Sequence, residues 1–178
     1  MLPPLPRGAT PHTTLHTIGL PEFEAQIANE SDEVAAAFDG EGRLVLAPRR
    51  GTPISVRFFP EEVERLRGAI VTHVHPLGGP FSGADAKFAS DNGLAEMRVV
   101  LPNGAVYSMK RPPQDWPPGV PMRMAAERCV AEIEREAERR QRQGLATISP
   151  KEYERLTFES QRDAFGEIGV TIEKERWR

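Results

Sequence analysis

Residues 69–75 read AIVTHVH and run directly into PLGGPFSGAD at 76–85. The first segment is rich in β-branched residues and predicts a strand, which ends at Pro76 because the Gly/Pro loop behind it cannot continue a hydrogen-bond ladder. Ser82 is typical of a helix N-cap, so a helix is predicted over 82–92, where Asn92-Gly93 stops it. The stretch therefore predicts a buried strand, a tight loop and a helix in immediate succession.

The flanking sequence supplies more strands and short helices. Alternating or β-branched runs separated by turn residues predict strands at 33–38, 43–47, 54–58, 96–101 and 105–109. Pro60 fits the first turn of a short helix that Gly68 ends. Strands mixed with short helices in this order predict an α/β or α+β sandwich.

Proline divides the chain. There are 17 prolines in 178 residues, clustered at 3–11 and at 112–121, which predicts an extended N-terminal arm over 1–25 and a stiff connector over 113–121. The core is then 26–112, and 122–178 forms a helical C-terminal extension that docks by an apolar stripe including Cys129. Two helices are predicted there, over 122–143 and about 149–163, with a short last strand at 168–172.

Composition excludes several function classes. The net charge of −3 argues against a nucleic-acid partner, since such binding needs a basic surface. A single cysteine excludes a disulfide framework and a cysteine-rich zinc site, so a metal would rely on histidine and carboxylate ligands. No apolar run reaches the roughly 20 residues of a membrane span, and the N-terminal residues lack a signal-peptide pattern. We expect a cytoplasmic protein with no membrane partner.

Two histidines two residues apart carry the chemistry. On a strand, His73 and His75 point to the same face, with Cα atoms about 6–7 Å apart. The loop turns the first helical turn back toward the strand end and brings Asp85 to the same point. Two imidazoles and one carboxylate, with a fourth position for water, are typical of a catalytic zinc site rather than a structural one.

This pattern resembles the JAMM metalloproteases, also called MPN-plus or JAB-domain peptidases. Their signature is an upstream glutamate, then His-x-His-Pro, then Ser-x-x-Asp, matched here by 73–76 and 82–85. The resemblance covers about residues 28–112 and implies the α/β JAB/MPN fold, a mixed sheet flanked by helices that is similar to the cytidine deaminase fold. It also implies that His73, His75 and Asp85 bind Zn²⁺, that Glu33 is the general base and that Ser82 donates to the oxyanion.

The resemblance has limits that bear on the substrate. Nine residues separate His75 from Asp85, one fewer than is usual in the eukaryotic deubiquitinase branch, and nothing resembles the insertions that hold ubiquitin there. We therefore expect a protein or peptide substrate, cleaved at a peptide or isopeptide bond, without support for ubiquitin. A weaker similarity links residues 96–112 to JAB-type domains of phage head-morphogenesis and toxin-like proteins.

Three alternatives concern the site residues. Ser82-x-x-Asp85 is also close to a capping box, and we expect Asp85 to serve either the cap or the metal, not both. Glu30 competes with Glu33 as the base, although Val34, Ala36 and Phe38 on the opposite strand face favour Glu33. Two further histidines, His12 and His16, are spaced as in a helical metal chelate, but the prolines and threonines around them favour an extended arm.

Two other functions remain as hypotheses. The chain could be a non-catalytic JAB-like interaction module in phage or toxin assembly, using the cleft or the charged helix as a docking surface. A histidine-metal nuclease is the third reading, since His73-Val74-His75 loosely resembles the HNH pattern, and the acidic balance disfavours it. The sequence does not predict the oligomeric state.

Overall fold

Six strands form one mixed sheet within residues 18–176, the part of the chain that the structure, a computed structural model, describes. The strands are β1 (Val34–Phe38), β2 (Leu44–Arg50), β3 (Ile70–Val74), β4 (Glu96–Val100), β5 (Ala105–Lys110) and β6 (Ile172–Arg176). Their order across the sheet is β2-β1-β3-β4-β5-β6, with β3 and β4 parallel and every other neighbouring pair antiparallel. The predicted α/β class with a mixed sheet is confirmed.

Helices cover both faces of this sheet. They are α1 (Leu20–Ile27), α2 (Pro60–Val63), α3 (Gly83–Asp91), α4 (Gly119–Arg142) and α5 (Pro150–Glu167), with a 3₁₀ turn at Glu64–Leu66. Alternation along β1 sends Val34, Ala36 and Phe38 toward α1, into a core with Phe23 and Ile27. The larger core, on the other face, joins the sheet to α3, α4 and α5.

The C-terminal boundary of the predicted N-terminal arm is wrong. The extended arm was expected to reach residue 25, but α1 begins at Leu20, with Pro21 in its first turn. Phe23 and Ile27 lie four residues apart on one helix face and are both buried against the sheet, so tertiary packing stabilises a helix that sequence pattern alone does not reveal. Residues 1–17, including His12 and His16, lie outside the described residues.

The strand predicted at 54–58 is wrong. A turn with one isolated bridge, Thr52 to Ser55, replaces it, and β2 instead runs on through Pro48 to Arg50 at the sheet edge, where proline is tolerated. At Gly51 the backbone turns back so tightly that a Cβ would lie 1.9 Å from the Ser55 carbonyl oxygen. Residues 53–58 are thereby directed over the sheet face instead of extending the sheet.

The C-terminal segment packs on the same sheet face as α3. The buried side of α4 includes Met122, Ala126 and Cys129, and α5 buries Phe165, so the docking stripe and the packed cysteine are confirmed. Helix α4 begins three residues earlier than expected, within the connector. The last strand is β6 rather than 168–172, since Gly169 adopts φ 79° and ends the helical region first.

Candidate metal centre

The end of β3 places two imidazoles beside each other. His73 is the fourth residue of β3 and is buried, and His75 follows the strand with its backbone N–H donating to the Val100 carbonyl at 2.9 Å. Their Nε2 atoms lie 2.9 Å apart. The predicted convergence of the two rings on one point is therefore present, and both rings face the side of the sheet that carries α3.

Asp85 approaches the same point from the first turn of α3. Its Oδ1 is 3.2 Å from His73 Nε2, and its Oδ2 is 3.3 Å from His75 Nε2. The Ser82 backbone N–H and hydroxyl both donate to Oδ2 at 2.7 Å, while the Asp85 N–H donates back to the Ser82 hydroxyl oxygen at 3.1 Å. The capping box is formed, with Oδ1 directed to His73.

Of the two expected roles of Asp85, the structure shows the cap, and the role as a metal ligand stays a prediction. A carboxylate has two oxygens and about four lone-pair sites, so one oxygen can accept the cap hydrogen bonds while the other remains available as a ligand. The same geometry gives Ser82 a definite contact, because its hydroxyl hydrogen is donated to Asp85. Its oxyanion role stays a prediction, and it would require that hydroxyl to rotate away from the carboxylate.

Glu33 completes the cluster from the neighbouring strand. β1 and β3 are antiparallel with Ala35 opposite His73, and continuing this register places Glu33 opposite His75. The Glu33 N–H donates to the Thr52 carbonyl and its carbonyl accepts from the Gly51 N–H, each at 2.8 Å. Its Oε1 lies 4.0 Å from His75 Nε2.

The competing glutamate lies elsewhere. The Glu30 carboxylate forms an ion pair with Arg50 at 2.8 Å, whereas Glu33 lines the cavity in front of the histidines. The sequence argument that Val34, Ala36 and Phe38 occupy the opposite face of the strand is confirmed, since all three lie in the α1-side core.

The donor set fits a divalent transition-metal ion. Ligand atoms of His73, His75 and Asp85 all lie within 4.8 Å of one another. Zinc bonds of about 2.0–2.1 Å in tetrahedral geometry hold ligand atoms about 3.4 Å apart. The 2.9 Å separation of the two Nε2 atoms would open by roughly 0.5 Å, and the two Asp85 oxygens lie 3.2 and 3.3 Å from one histidine each. Two imidazoles and a carboxylate suit zinc and also occur around non-haem iron, so geometry alone does not select the metal.

The loop carbonyl of Gly79 orients one ring. His75 Nδ1 lies 3.1 Å from the Gly79 oxygen, and a hydrogen on Nδ1 that donates to this oxygen leaves Nε2 with its lone pair toward the cluster. This is the usual arrangement around a metal-binding histidine. Gly78 and Gly79 have φ of 83° and 88°, a region that glycine adopts without strain, so the loop sequence supports the carbonyl's position.

Burial and charge shift the acid–base properties of the cluster. Burial raises the pKa of Glu33, and the attraction of His73 and His75 offsets this only in part. Burial also acts to raise the pKa of Asp85, yet the charge and hydrogen bonds of the two imidazoles hold that pKa well below its ordinary value. Burial acts to lower the pKa of His75, but the hydrogen bond with Asp85 raises it, and the net result is a raised pKa.

An open cavity of about 380 Å³ lies in front of these side chains. Besides the cluster, it is lined by residues 53–58 except Arg57, by the 77–82 loop and by side chains of α3, α4 and α5. The predicted site residues thus lie at the end of a cleft that a ligand can enter. Within residues 18–176, no helix is long and apolar enough to cross a membrane.

Comparisons with known proteins do not assign the chain to a family. No protein-family model matches the sequence, and no curated protein is significantly similar to it. The residues and their geometry therefore carry the functional argument by themselves.

Sequence reasoning missed a support that comes from α5. The Gln161 side chain is fully buried, and its Nε2 donates to the Phe81 carbonyl at 2.6 Å. Phe81 precedes Ser82, so the C-terminal extension holds the residue next to the α3 cap. A lone glutamine in an amphipathic helix gives no sequence signal for such a contact.

Proposed function

We propose that this chain is a zinc-dependent metallopeptidase of JAB type that hydrolyses a peptide or isopeptide bond. The observation that carries the proposal is the convergence of His73 Nε2, His75 Nε2 and Asp85 within 2.9–3.3 Å of one another, with Glu33 beside them in an open cleft. The match of these residues to the His-x-His-Pro and Ser-x-x-Asp motifs supports zinc and the JAB/MPN fold over other metals and other α/β folds.

The roles of the side chains follow from their positions. When bound, zinc supplies a Lewis acid that polarises the carbonyl and acidifies a water. Glu33 accepts a proton from the attacking water as the carbon–oxygen bond forms, and it returns the proton to the leaving nitrogen as the carbon–nitrogen bond breaks. A carboxylate that lies beside the ligands and lines the cleft can make both transfers.

The supporting residues hold this arrangement in place. Ser82 fixes Asp85 through the cap, and the Gly79 carbonyl fixes the ring of His75. These hydrogen bonds hold the donor side chains close together before a metal binds, which reduces the conformational entropy lost when the site is assembled. A substrate carbonyl enters from the cleft side, where Glu33 lines the cavity.

The decisive experiment compares two glutamates. The zinc-loaded protein is incubated with a mixture of peptides, and with peptides branched through a lysine ε-amide, and new termini are identified by mass spectrometry. Glu33→Gln should lower the cleavage rate by about 10²- to 10⁴-fold, the usual contribution of a general base, while Glu30→Gln should leave it unchanged.

Two results would contradict the proposal. One is cleavage that survives Glu33→Gln or persists in a strong chelator. The other is full zinc binding with no cleavage of either peptide class, which would favour the non-catalytic interaction module instead.

A further inference from the structure

The cleft in front of the metal centre has an uncharged interior. Among the described lining residues, the carboxylate and imidazole side chains are Glu33, His73, His75 and Asp85, all in the centre itself, and none is a lysine or an arginine. The remaining lining is apolar or small, with hydroxyl groups as its other polar side chains. Charge is therefore confined to one end of the cavity, and the rest suits a neutral group.

Four large side chains form the apolar part. Val71 and Met97 are buried on adjacent strands of the sheet, where they are register partners. Phe58 and Phe88 are half-buried, and their rings stack with centroids 6.1 Å apart. These residues come from the sheet, the 53–58 segment and α3, which together build an apolar pocket beside Glu33 and Asp85 rather than a flat surface.

The rim of the same cavity is also apolar. Ile54 and Leu77 both line it, and they are 75% and 77% exposed. They come from different loops, so two large hydrophobic side chains are presented to solvent at one opening. Exposed apolar side chains at the edge of a cleft favour a partner that buries them.

The cavity lacks a partner for a free carboxylate. No lysine or arginine lines it among residues 18–176, so away from the centre the cavity offers no cation to an acidic group. A substrate's C-terminal carboxylate or an acidic side chain would be desolvated without a compensating charge, which is costly. An amide in mid-chain carries no such charge.

We propose that the centre cleaves amide bonds inside a peptide chain, next to a residue with a large aliphatic or aromatic side chain that enters the pocket of Phe58, Phe88, Val71 and Met97. This specificity rests on the proposed metallopeptidase function. The charge distribution selects this occupant over an acidic or C-terminal residue, and the apolar lining selects it over glycine or alanine, which would bury less apolar surface.

The first test uses a set of N-acetylated, C-amidated octapeptides that differ at one position, occupied by Leu, Phe, Ala, Asp or Lys, and one Leu peptide that ends in a free carboxylate after that position. The Leu and Phe peptides should be cleaved with a kcat/KM at least about tenfold above the others, a ratio that an apolar pocket can supply. Equal rates, or a preference for Asp or for the free carboxylate, would overturn the proposal.

A charge placed at the rim makes the test sharper. Ile54→Lys should lower kcat/KM for the Leu peptide and raise it for the Asp peptide, because it supplies the missing cation. Met124→Lys is the matched control, since Met124 is 63% exposed on α4 and does not line the cavity. Identical behaviour of the two variants would contradict the assigned pocket.

A binding measurement separates this proposal from the proposed function. Zinc-loaded Glu33→Gln protein is titrated with the same peptides in a calorimeter, so that no turnover is needed. Tighter binding of Leu and Phe peptides supports the pocket even if the wild-type protein cleaves none of them, a result that would defeat only the peptidase. Binding without preference among the peptides overturns the pocket even if cleavage occurs.

Discussion

Ser82 and Asp85 are joined by three hydrogen bonds at the start of α3, and the same Asp85 carboxylate lies 3.2–3.3 Å from both histidine Nε2 atoms. The N-cap of the helix and the predicted third ligand of the candidate metal centre therefore form one structural unit. A substitution that weakens the cap should therefore also lower the metal affinity.

Ser82→Ala tests this unit. Loss of the cap hydroxyl should lower the free energy of unfolding by about 1 kcal/mol, and loss of its hydrogen bond to Asp85 should weaken zinc affinity by about 10- to 100-fold. Urea unfolding of the metal-free protein gives the first quantity, and competition with a chromophoric chelator gives the second.

Ser149→Ala is the matched control. Ser149 caps α5 in the same way, accepting from the Glu152 N–H at 3.2 Å, but it contacts no residue of the centre. It should lose similar stability with unchanged zinc affinity. If the two variants affect zinc equally, the cap does not position the ligand.

Gly79→Ala should disturb the orientation of His75. Gly79 has φ 88°, and an added Cβ would meet no atom within 4 Å, so the effect is backbone strain of about 1–2 kcal/mol rather than a clash. Relief of that strain moves the carbonyl that accepts from His75 Nδ1, and zinc affinity should fall. Gly169→Ala is the control: Gly169 has φ 79°, and an added Cβ there would also meet no atom within 4 Å. Because Gly169 lies in the turn before β6, this variant should carry the same backbone strain and leave zinc affinity unchanged.

The metal-free centre should stabilise the fold only in a window of pH. The pKa of His75 is raised above 6.5 in the folded protein, so its contribution is complete below pH 6.5 and is lost as the pH rises through the folded value. The pKa of Asp85 is lowered from 3.8, so its contribution is complete above that value and is lost on acidification.

The difference in unfolding free energy between the wild-type protein and His75→Gln, both in chelator, should therefore be largest between about pH 4 and 6.5. A difference that stays constant from pH 3 to 9 would contradict the pairing of these two side chains. Zinc affinity should fall on acidification, beginning as the pH drops through the raised pKa of His75, since protons compete with the metal for that imidazole.

A buried ion pair on the opposite face of the sheet should control stability. Glu24 on α1 is 2% exposed and accepts from Arg98 at 2.6 and 3.2 Å and from the Thr72 hydroxyl at 2.9 Å. Glu24→Ala removes two of the four hydrogen bonds that Arg98 donates to carboxylates and the partner of the Thr72 hydroxyl, while Glu96 and Glu175 still face the charge. It should cost about 2–3 kcal/mol. Glu175→Ala, which removes a partner whose side chain is 41% exposed, should cost less than about 1 kcal/mol; equal costs would contradict the role of burial.

The local parts of the fold were predictable from the sequence. The strand ending at His75, the Gly/Pro loop and the helix capped by Ser82 depend on short-range preferences that the residues themselves express. The placement of Glu33 was predictable for the same reason, because strand alternation sends Val34 and Phe38 to one face and the glutamate to the other. These elements bring together the predicted ligands.

Features that depend on distant contacts were not predictable in this way. Helix α1 is held by its apolar face on the sheet, and the 53–58 segment leaves the sheet because Gly51 permits a tight reversal. The support from Gln161 joins residues 80 positions apart. The sequence pattern of Ser82 and Asp85 does not show how the two carboxylate oxygens are used, with Oδ2 accepting the cap hydrogen bonds and Oδ1 lying beside His73.

The most direct measurement is the metal content of the purified protein. The chain is isolated without chelators or an added metal-affinity tag and analysed by inductively coupled plasma mass spectrometry beside the His73→Ala/His75→Ala variant. The account predicts about one zinc per wild-type chain and none in the variant. A folded wild-type protein that neither contains zinc nor binds it on titration would contradict the central claim, and iron in its place would contradict the choice of metal.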